Sequence, residues 1–304
     1  MQLIRDHKPN PSLDRAYRVA LTITLLANLA LVAGKGLVTY LTGSVALYAD
    51  TANSFSDLLY SIALVVAIRI ALRPPDLSHP QGHARFDPLV GLLVALSMAI
   101  AGYEALRSAV QRFIEGGSII EPGLPTLVLL AGAVIKAGMY VIIKNLASKT
   151  NSPALRASAI DNLSDVLTSV AALVGILGSG LIHPLMDPIA GFFVSLWIFK
   201  AAFDAGRENL DYLTGAGPDQ ALRQKIIETA NRVDGHHIVH HVVCEYVGPK
   251  LAIDMHINLP GEATLDEVHD ISDRVIDALE ALPEVDRAYV HVEPNDETSV
   301  SQKD

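Results

Sequence analysis

Two stretches, ALYADTANSFSDLLYSIALVVAI (residues 46–68) and SPALRASAIDNLSDVLTSVAALV (residues 152–174), have the length of a membrane span and carry acidic side chains inside it. A helix needs about 20 mostly apolar residues to cross about 30 Å of hydrocarbon. A lone Asp at mid-membrane costs about 2.5 kcal/mol or more on insertion scales. We therefore expect these carboxylates to have a compensating partner.

The spacing of the polar side chains in these spans favours a metal transport site. Asn53 and Asp57 are four residues apart, as are Asp161 and Asp165, so each pair lies on one helix face about 6 Å apart. If the two faces meet, four oxygen-bearing side chains converge on a site that a divalent cation or protons would satisfy. The alternative is structural, because polar residues often hydrogen-bond neighbouring helices in a bundle. Asp50, one turn earlier, fits an outer exit or a structural role equally well.

The donor types of this site bear on the identity of the metal. Asn and Asp offer hard oxygen donors, which favour Mn²⁺, Mg²⁺, Ca²⁺ or Fe²⁺ over Zn²⁺ and Cu⁺. Zinc stays possible, since it binds more tightly than manganese at most sites, and its exclusion would depend on geometry.

The composition of the whole chain is that of a membrane protein. Of its 304 residues, 50% are hydrophobic and 18% charged, and the mean hydropathy is +0.34. Long apolar blocks predict an all-α bundle of six transmembrane helices. These spans lie at residues 16–41, 45–72, 87–113, 124–147, 153–179 and 184–206.

The distribution of Lys and Arg predicts the orientation in the membrane. These residues precede the first span and flank the second and fourth connections, whereas the other three connections have none. Because cytoplasmic loops carry the excess of positive charge, we expect both termini to be cytoplasmic. In a bacterium, the protein would be a multi-pass protein of the inner membrane.

The chain from residue 209 onward is acidic, with 19 Asp and Glu against 7 Lys and Arg. This excess argues against nucleic acid as a partner and suits cations. The single cysteine, Cys244, excludes an intrachain disulfide and a thiolate metal cluster. The pattern predicts a ferredoxin-like α+β domain of order αββαβ, with a capping box formed by Thr264 and Glu267. Its elements are expected at residues 220–232, 238–246, 251–259, 265–282 and 288–293.

These features predict four parts of the chain. Residues 1–15 form a cytoplasmic segment and residues 16–208 the transmembrane domain, embedded in the lipid bilayer. Residues 209–297 form a cytoplasmic metal-binding and dimerisation domain, and residues 298–304 a disordered tail.

With these motifs, the chain resembles the cation diffusion facilitator family over residues 15–295. In the family, four ligands in the second and fifth spans form a transport site. These four positions are occupied here by Asn53, Asp57, Asp161 and Asp165. Zinc members usually have His at one of these positions, so the resemblance is to the manganese-type subgroup.

The resemblance implies two further metal sites and one ion pair. In the loop RPPDLSHPQGHARFDPL, three residues match a secondary site, although an exposed polar loop is the alternative. The pair of Arg85 with Asp211 would lock the two domains at the dimer interface. The loop ligands are Asp76, His79 and His83. The ligands of the cytoplasmic domain are His240, His256, His291 and Glu293, and the family usually has Asp at the position of Glu293.

The resemblance also implies a homodimer that exchanges cytoplasmic metal for external protons. We expect manganese efflux, with an iron, zinc or cadmium exporter of the same family as the alternative. From another class, a membrane metal sensor would not need the intramembrane carboxylates. An intramembrane metallohydrolase would need a motif such as H-E-x-x-H, which the spans lack. We therefore expect a protein that is not an enzyme and has no cofactor besides its cargo.

Overall fold

Six long apolar helices occupy the part of the chain before the acidic domain. The computed structural model describes residues 4, 11–42, 45–117, 119, 123–234 and 238–295. Each of the six helices is long and apolar enough to cross a membrane, which confirms the predicted bundle. They are α1 (Pro11–Thr42), α2 (Val45–Ala71), α3 (Phe86–Ile114), α4 (Leu124–Thr150), α5 (Pro153–Leu181) and α6 (Met186–Leu213).

The turn between α4 and α5 is only two residues long. Asn151 ends α4 with a left-handed φ of 54°, and the hydroxyl of Ser152 caps α5 by accepting a hydrogen bond from the amide of Leu155 at 3.1 Å. Pro153 then occupies the first turn of α5, where its missing N–H costs no helical bond. The short turn makes α4 and α5 antiparallel neighbours, and this sets which side chains of α4 face the carboxylates of α5.

A buried carboxylate at the start of α3 ties three parts of the bundle together. Asp87 is only 1% exposed. It accepts hydrogen bonds from the hydroxyl of Tyr17 on α1 at 2.9 Å, from the hydroxyl of Ser152 at 2.9 Å and from the amide of Ala154 at 3.0 Å. The beginning of α5 is therefore fixed to α1 and α3 through one side chain.

We predict that Asp87→Ala lowers the free energy of unfolding by about 2 kcal/mol or more, because three buried donors lose their acceptor. Thermal unfolding in detergent, followed by circular dichroism, measures this loss. The control is Asp204→Ala on α6, an exposed carboxylate paired with Lys200 one turn away, for which we expect a change below about 0.5 kcal/mol. Equal losses in the two variants would contradict the role given to Asp87.

The acidic part of the chain folds into a three-stranded sheet with two helices, as predicted. The strand order is β1-β2-β3, with β1 antiparallel and β3 parallel to the central strand. The Thr264–Glu267 capping box is present: the Thr264 hydroxyl accepts from the amide of Glu267, whose carboxylate accepts from the amide of Thr264 at 2.8 Å. The elements are α7 (Gln220–Asp234), β1 (Val239–Val247), β2 (Lys250–Leu259), α8 (Leu265–Glu280) and β3 (Val285–Pro294).

The central strand supplies much of the core of this domain. Five alternate apolar residues of β2 are almost completely buried, whereas Asp254 on the opposite face is exposed. The alternation of apolar and polar residues along β2 therefore determines which face of the sheet carries polar side chains. The five buried residues are Leu251, Ile253, Met255, Ile257 and Leu259.

The chain divides into two compact units, Met1–Leu210 and Asp211–Asp304. Several predicted boundaries inside the second unit differ from the structure by one to three residues, most at the end of the last helix and the start of the last strand. The helix α8 ends at Glu280, two residues before the predicted end, and β3 begins at Val285, three residues before the predicted start. The predicted tail 298–304 lies outside the described residues.

Candidate metal centres

The structure brings together three of the four predicted transport-site residues. Asp57 lies on α2, and Asp161 and Asp165 lie one turn apart on α5. One carboxylate oxygen from each of the three lies within 4.8 Å of the other two. All three side chains are partly buried, so two helices present a compact cluster of oxygen donors within the membrane-spanning part of the chain.

Asn53, the fourth predicted ligand, lies one turn before Asp57 on the same helix. Its side chain is exposed, so the structure does not bury its amide together with the three carboxylates. The helical spacing keeps it on the same side of α2 as Asp57, and its role as a ligand stays a prediction.

A lysine that the sequence analysis missed completes this cluster. Lys136 on α4 is 5% exposed, and its Nζ lies 2.8 Å from Oδ2 of Asp57 and 2.7 Å from Oδ2 of Asp165. The sequence does contain a signal for this lysine. A lysine in the middle of a membrane span is costly unless a carboxylate compensates its charge, just as an aspartate there is costly without a cation. Three carboxylates and one ammonium leave two formal negative charges when all are ionised.

Asp50 has a partner of its own. Its Oδ1 accepts a hydrogen bond at 2.7 Å from Nζ of Lys35 on α1. This ion pair between α1 and α2 favours the structural interpretation of Asp50 over an outer exit.

The predicted loop residues also lie together. One ligand atom each of Asp76, His79 and His83 falls within 4.8 Å of the others, and the two imidazole rings are 4.4 Å apart. Hydrogen bonds from the amide of His79, at 2.7 Å, and of Ser78 lower the pKa of Asp76. His83 is 5% exposed, and its Nδ1 has no hydrogen-bond partner among the described residues. This loop could hold a cation with one carboxylate and two imidazoles.

Three of the four predicted ligands of the cytoplasmic domain, all histidines, surround the carboxylate of the fourth. Glu293 on β3 contacts Nδ1 of His256 at 2.9 Å and Nε2 of His240 at 3.2 Å, while Nε2 of His291 lies 3.8 Å away. The hydrogen bond from His256 is the main cause of the lowered pKa of Glu293. The parallel register of β2 and β3 pairs His256 with His291, which explains why residues 35 positions apart meet.

The two residues of the predicted Arg85–Asp211 pair belong to different compact units. Arg85 belongs to the first unit and Asp211 to the second. The ion pair and its role at a dimer interface therefore stay predictions.

Membrane-spanning helices that gather carboxylates, followed by a small α+β domain, define an integral-membrane metal transporter. Residues 21–214 match the family model described as cation efflux transmembrane domain. Residues 218–295 match the model described as cation efflux protein, cytoplasmic domain. The chain therefore belongs to the cation diffusion facilitator family, and its activity is the efflux of divalent metal cations.

Similar proteins match almost the whole chain. An uncharacterized transporter of Methanocaldococcus jannaschii, MJ0449, is 36% identical over 90% of this chain and 96% of its own length. The uncharacterized transporter YdbO of Bacillus subtilis is 32% identical over 90% of this chain and 94% of its own. The manganese efflux system protein MneS of the same species is 29% identical over 90% of this chain and 93% of its own.

We predict that Glu293→Gln weakens divalent metal binding to the cytoplasmic cluster about tenfold or more, because the charged group that three histidines face is lost. Calorimetric titration of the purified protein with Zn²⁺ measures this change. Asp254→Asn is the matched control, since Asp254 is an exposed carboxylate two residues before His256 on the same strand. A Glu293→Gln protein that binds like the control would exclude this site.

Proposed function

We propose that the protein is a homodimeric manganese exporter that uses the carboxylates of α2 and α5 as its cargo site. The observation that carries this proposal is the clustering of Asp57, Asp161 and Asp165 within 4.8 Å inside the bundle. Three carboxylates, with the amide of Asn53 as the proposed fourth ligand, would provide a donor set of oxygen atoms only. Such hard donors suit Mn²⁺, and one of the similar proteins is named a manganese efflux system protein.

The proposed cycle couples metal to protons. Mn²⁺ enters the carboxylate cluster from the cytoplasm, and the ion leaves when the site opens to the outside. Protons from the more acidic outside then occupy the carboxylates, because an empty cluster of ionised groups is repelled by its own charge. The proposed topology places both termini in the cytoplasm, and in a bacterium the protein would lie in the inner membrane.

The cytoplasmic domain is proposed to hold the dimer together and to bind metal. The cluster of His240, His256 and Glu293 supports metal binding there. The loop cluster around Asp76 would be a second cytoplasmic site. A pure metal sensor would use these clusters alone, so the cargo site of the membrane domain distinguishes the two functions.

We predict that purified protein in liposomes transports Mn²⁺ in preference to Zn²⁺ and Cd²⁺, and that Asp57→Ala abolishes transport because the ion loses a charged ligand from α2. Asn53→His should increase Zn²⁺ transport, since imidazole suits zinc better than the amide does. Metal uptake measured with an encapsulated fluorescent indicator gives both results. Asp204→Ala on the exposed face of α6 is the control and should transport like the wild type.

If the wild type prefers Fe²⁺ or Zn²⁺, the proposed transport site is still supported, but manganese is refuted as the cargo. Absence of transport of all these metals, with metal still bound by the cytoplasmic domain, would favour the sensor.

We further predict that an imposed pH gradient, acidic on the side that receives the metal, accelerates Mn²⁺ transport, because protons replace the released ion. A pH indicator in the same liposomes should report proton movement opposite to the metal. The Asp57→Ala protein provides the baseline. Transport that is insensitive to the gradient would refute proton antiport and leave the metal site intact.

A further inference from the structure

The side chain of Lys136 occupies the space between the carboxylates of two different helices. Its Nζ lies 2.8 Å from Oδ2 of Asp57 on α2 and 2.7 Å from Oδ2 of Asp165 on α5. The side chain is 7% exposed, so this ammonium is enclosed by the bundle. It is the positive charge in direct contact with two members of the proposed cargo site.

A metal ion shared by these two carboxylates would occupy the position of this ammonium. A hard divalent cation bound by the same two oxygen atoms would lie about 2.0 to 2.6 Å from each of them. The space between the two oxygen atoms holds one cation at a time. The ammonium and a bridging metal ion therefore exclude each other.

The ammonium satisfies the two carboxylates unequally. Lys136 donates a hydrogen bond to Asp57, whereas Oδ2 of Asp165 is buried and accepts no hydrogen bond of suitable geometry from the described part of the chain. A metal ion makes no such directional demand and carries twice the charge. A divalent ion in place of the ammonium would strengthen the electrostatic attraction to both oxygen atoms, whereas a monovalent ion would bring no gain in charge.

We propose that Lys136 is a tethered competitor of the cargo, which holds the metal-free site together and lowers its affinity so that the bound ion can be released. The proposal rests on the proposed function of the carboxylates as the cargo site. It also makes Lys136 a determinant of selectivity for divalent over monovalent ions. No change in the protonation of Lys136 is required, since the ammonium only moves away from the two oxygen atoms.

The test is the dissociation constant of Mn²⁺ for the purified full-length protein, measured by calorimetry in the wild type and in Lys136→Met. We expect Lys136→Met to bind Mn²⁺ about tenfold or more tightly, because a like charge is removed from the site. Lys136→Gln is a second neutral variant, in case the Met variant does not fold. Lys136→Arg keeps the positive charge and should not bind more tightly than the wild type.

The matched control is Lys144→Met, which removes an exposed ammonium about two turns further along α4 that donates a hydrogen bond to Tyr140. Its dissociation constant should stay close to that of the wild type. In liposomes, Lys136→Met should also show slower turnover at saturating Mn²⁺, because a more tightly held ion leaves more slowly. A merely structural role for Lys136 would lower thermal stability without tightening metal binding.

Unchanged or weaker Mn²⁺ binding in both neutral variants would overturn the proposal. If Asp57→Ala abolishes binding in the same experiment, the cargo site stands and only the competitor role fails. If neither the wild type nor the neutral variants bind Mn²⁺, Fe²⁺ or Zn²⁺ at the membrane site, both the competitor role and the cargo site fail.

Discussion

Electrostatic repulsion among three carboxylates in a membrane bundle is the constraint on which the rest of this structure depends. Asp57, Asp161 and Asp165 approach within 4.8 Å of one another, where charges in a medium of low polarity interact far more strongly than in water. Such a cluster persists only with positive charge nearby. In the structure that charge comes from Lys136, and in the proposed cycle it comes from the cargo or from protons.

The bundle is built so that this cluster keeps its geometry. The two-residue turn before Pro153 places α4 beside α5, which brings Lys136 to the carboxylates of α5. The buried carboxylate of Asp87 fixes the start of α5, about two turns before Asp161. Among the described residues, structural and functional acidic groups therefore differ in their contacts: Asp87 accepts hydrogen bonds from three neutral donors, whereas Asp57 and Asp165 share the ammonium of Lys136.

Much of this could be predicted from the sequence because the relevant patterns are local. Apolar length predicts the six helices, alternation predicts β2, and i,i+4 spacing predicts that Asp161 and Asp165 share a face. The role of Lys136 could not be assigned from local spacing, because its carboxylate partners lie on two other helices, α2 and α5. Asp87 was missed because its three donors come from distant parts of the chain, and only the packing of helices shows that they meet. The exposure of Asn53 depends equally on packing and could not be predicted from helical spacing.

Anomalous X-ray scattering from crystals of the protein soaked with Mn²⁺ would locate the cargo ion. We expect an anomalous peak in contact with the carboxylates of Asp57, Asp161 and Asp165, with the ammonium of Lys136 displaced from between Asp57 and Asp165. Peaks confined to the histidine clusters of the loop and the cytoplasmic domain, with Lys136 still bridging the two carboxylates, would contradict this expectation.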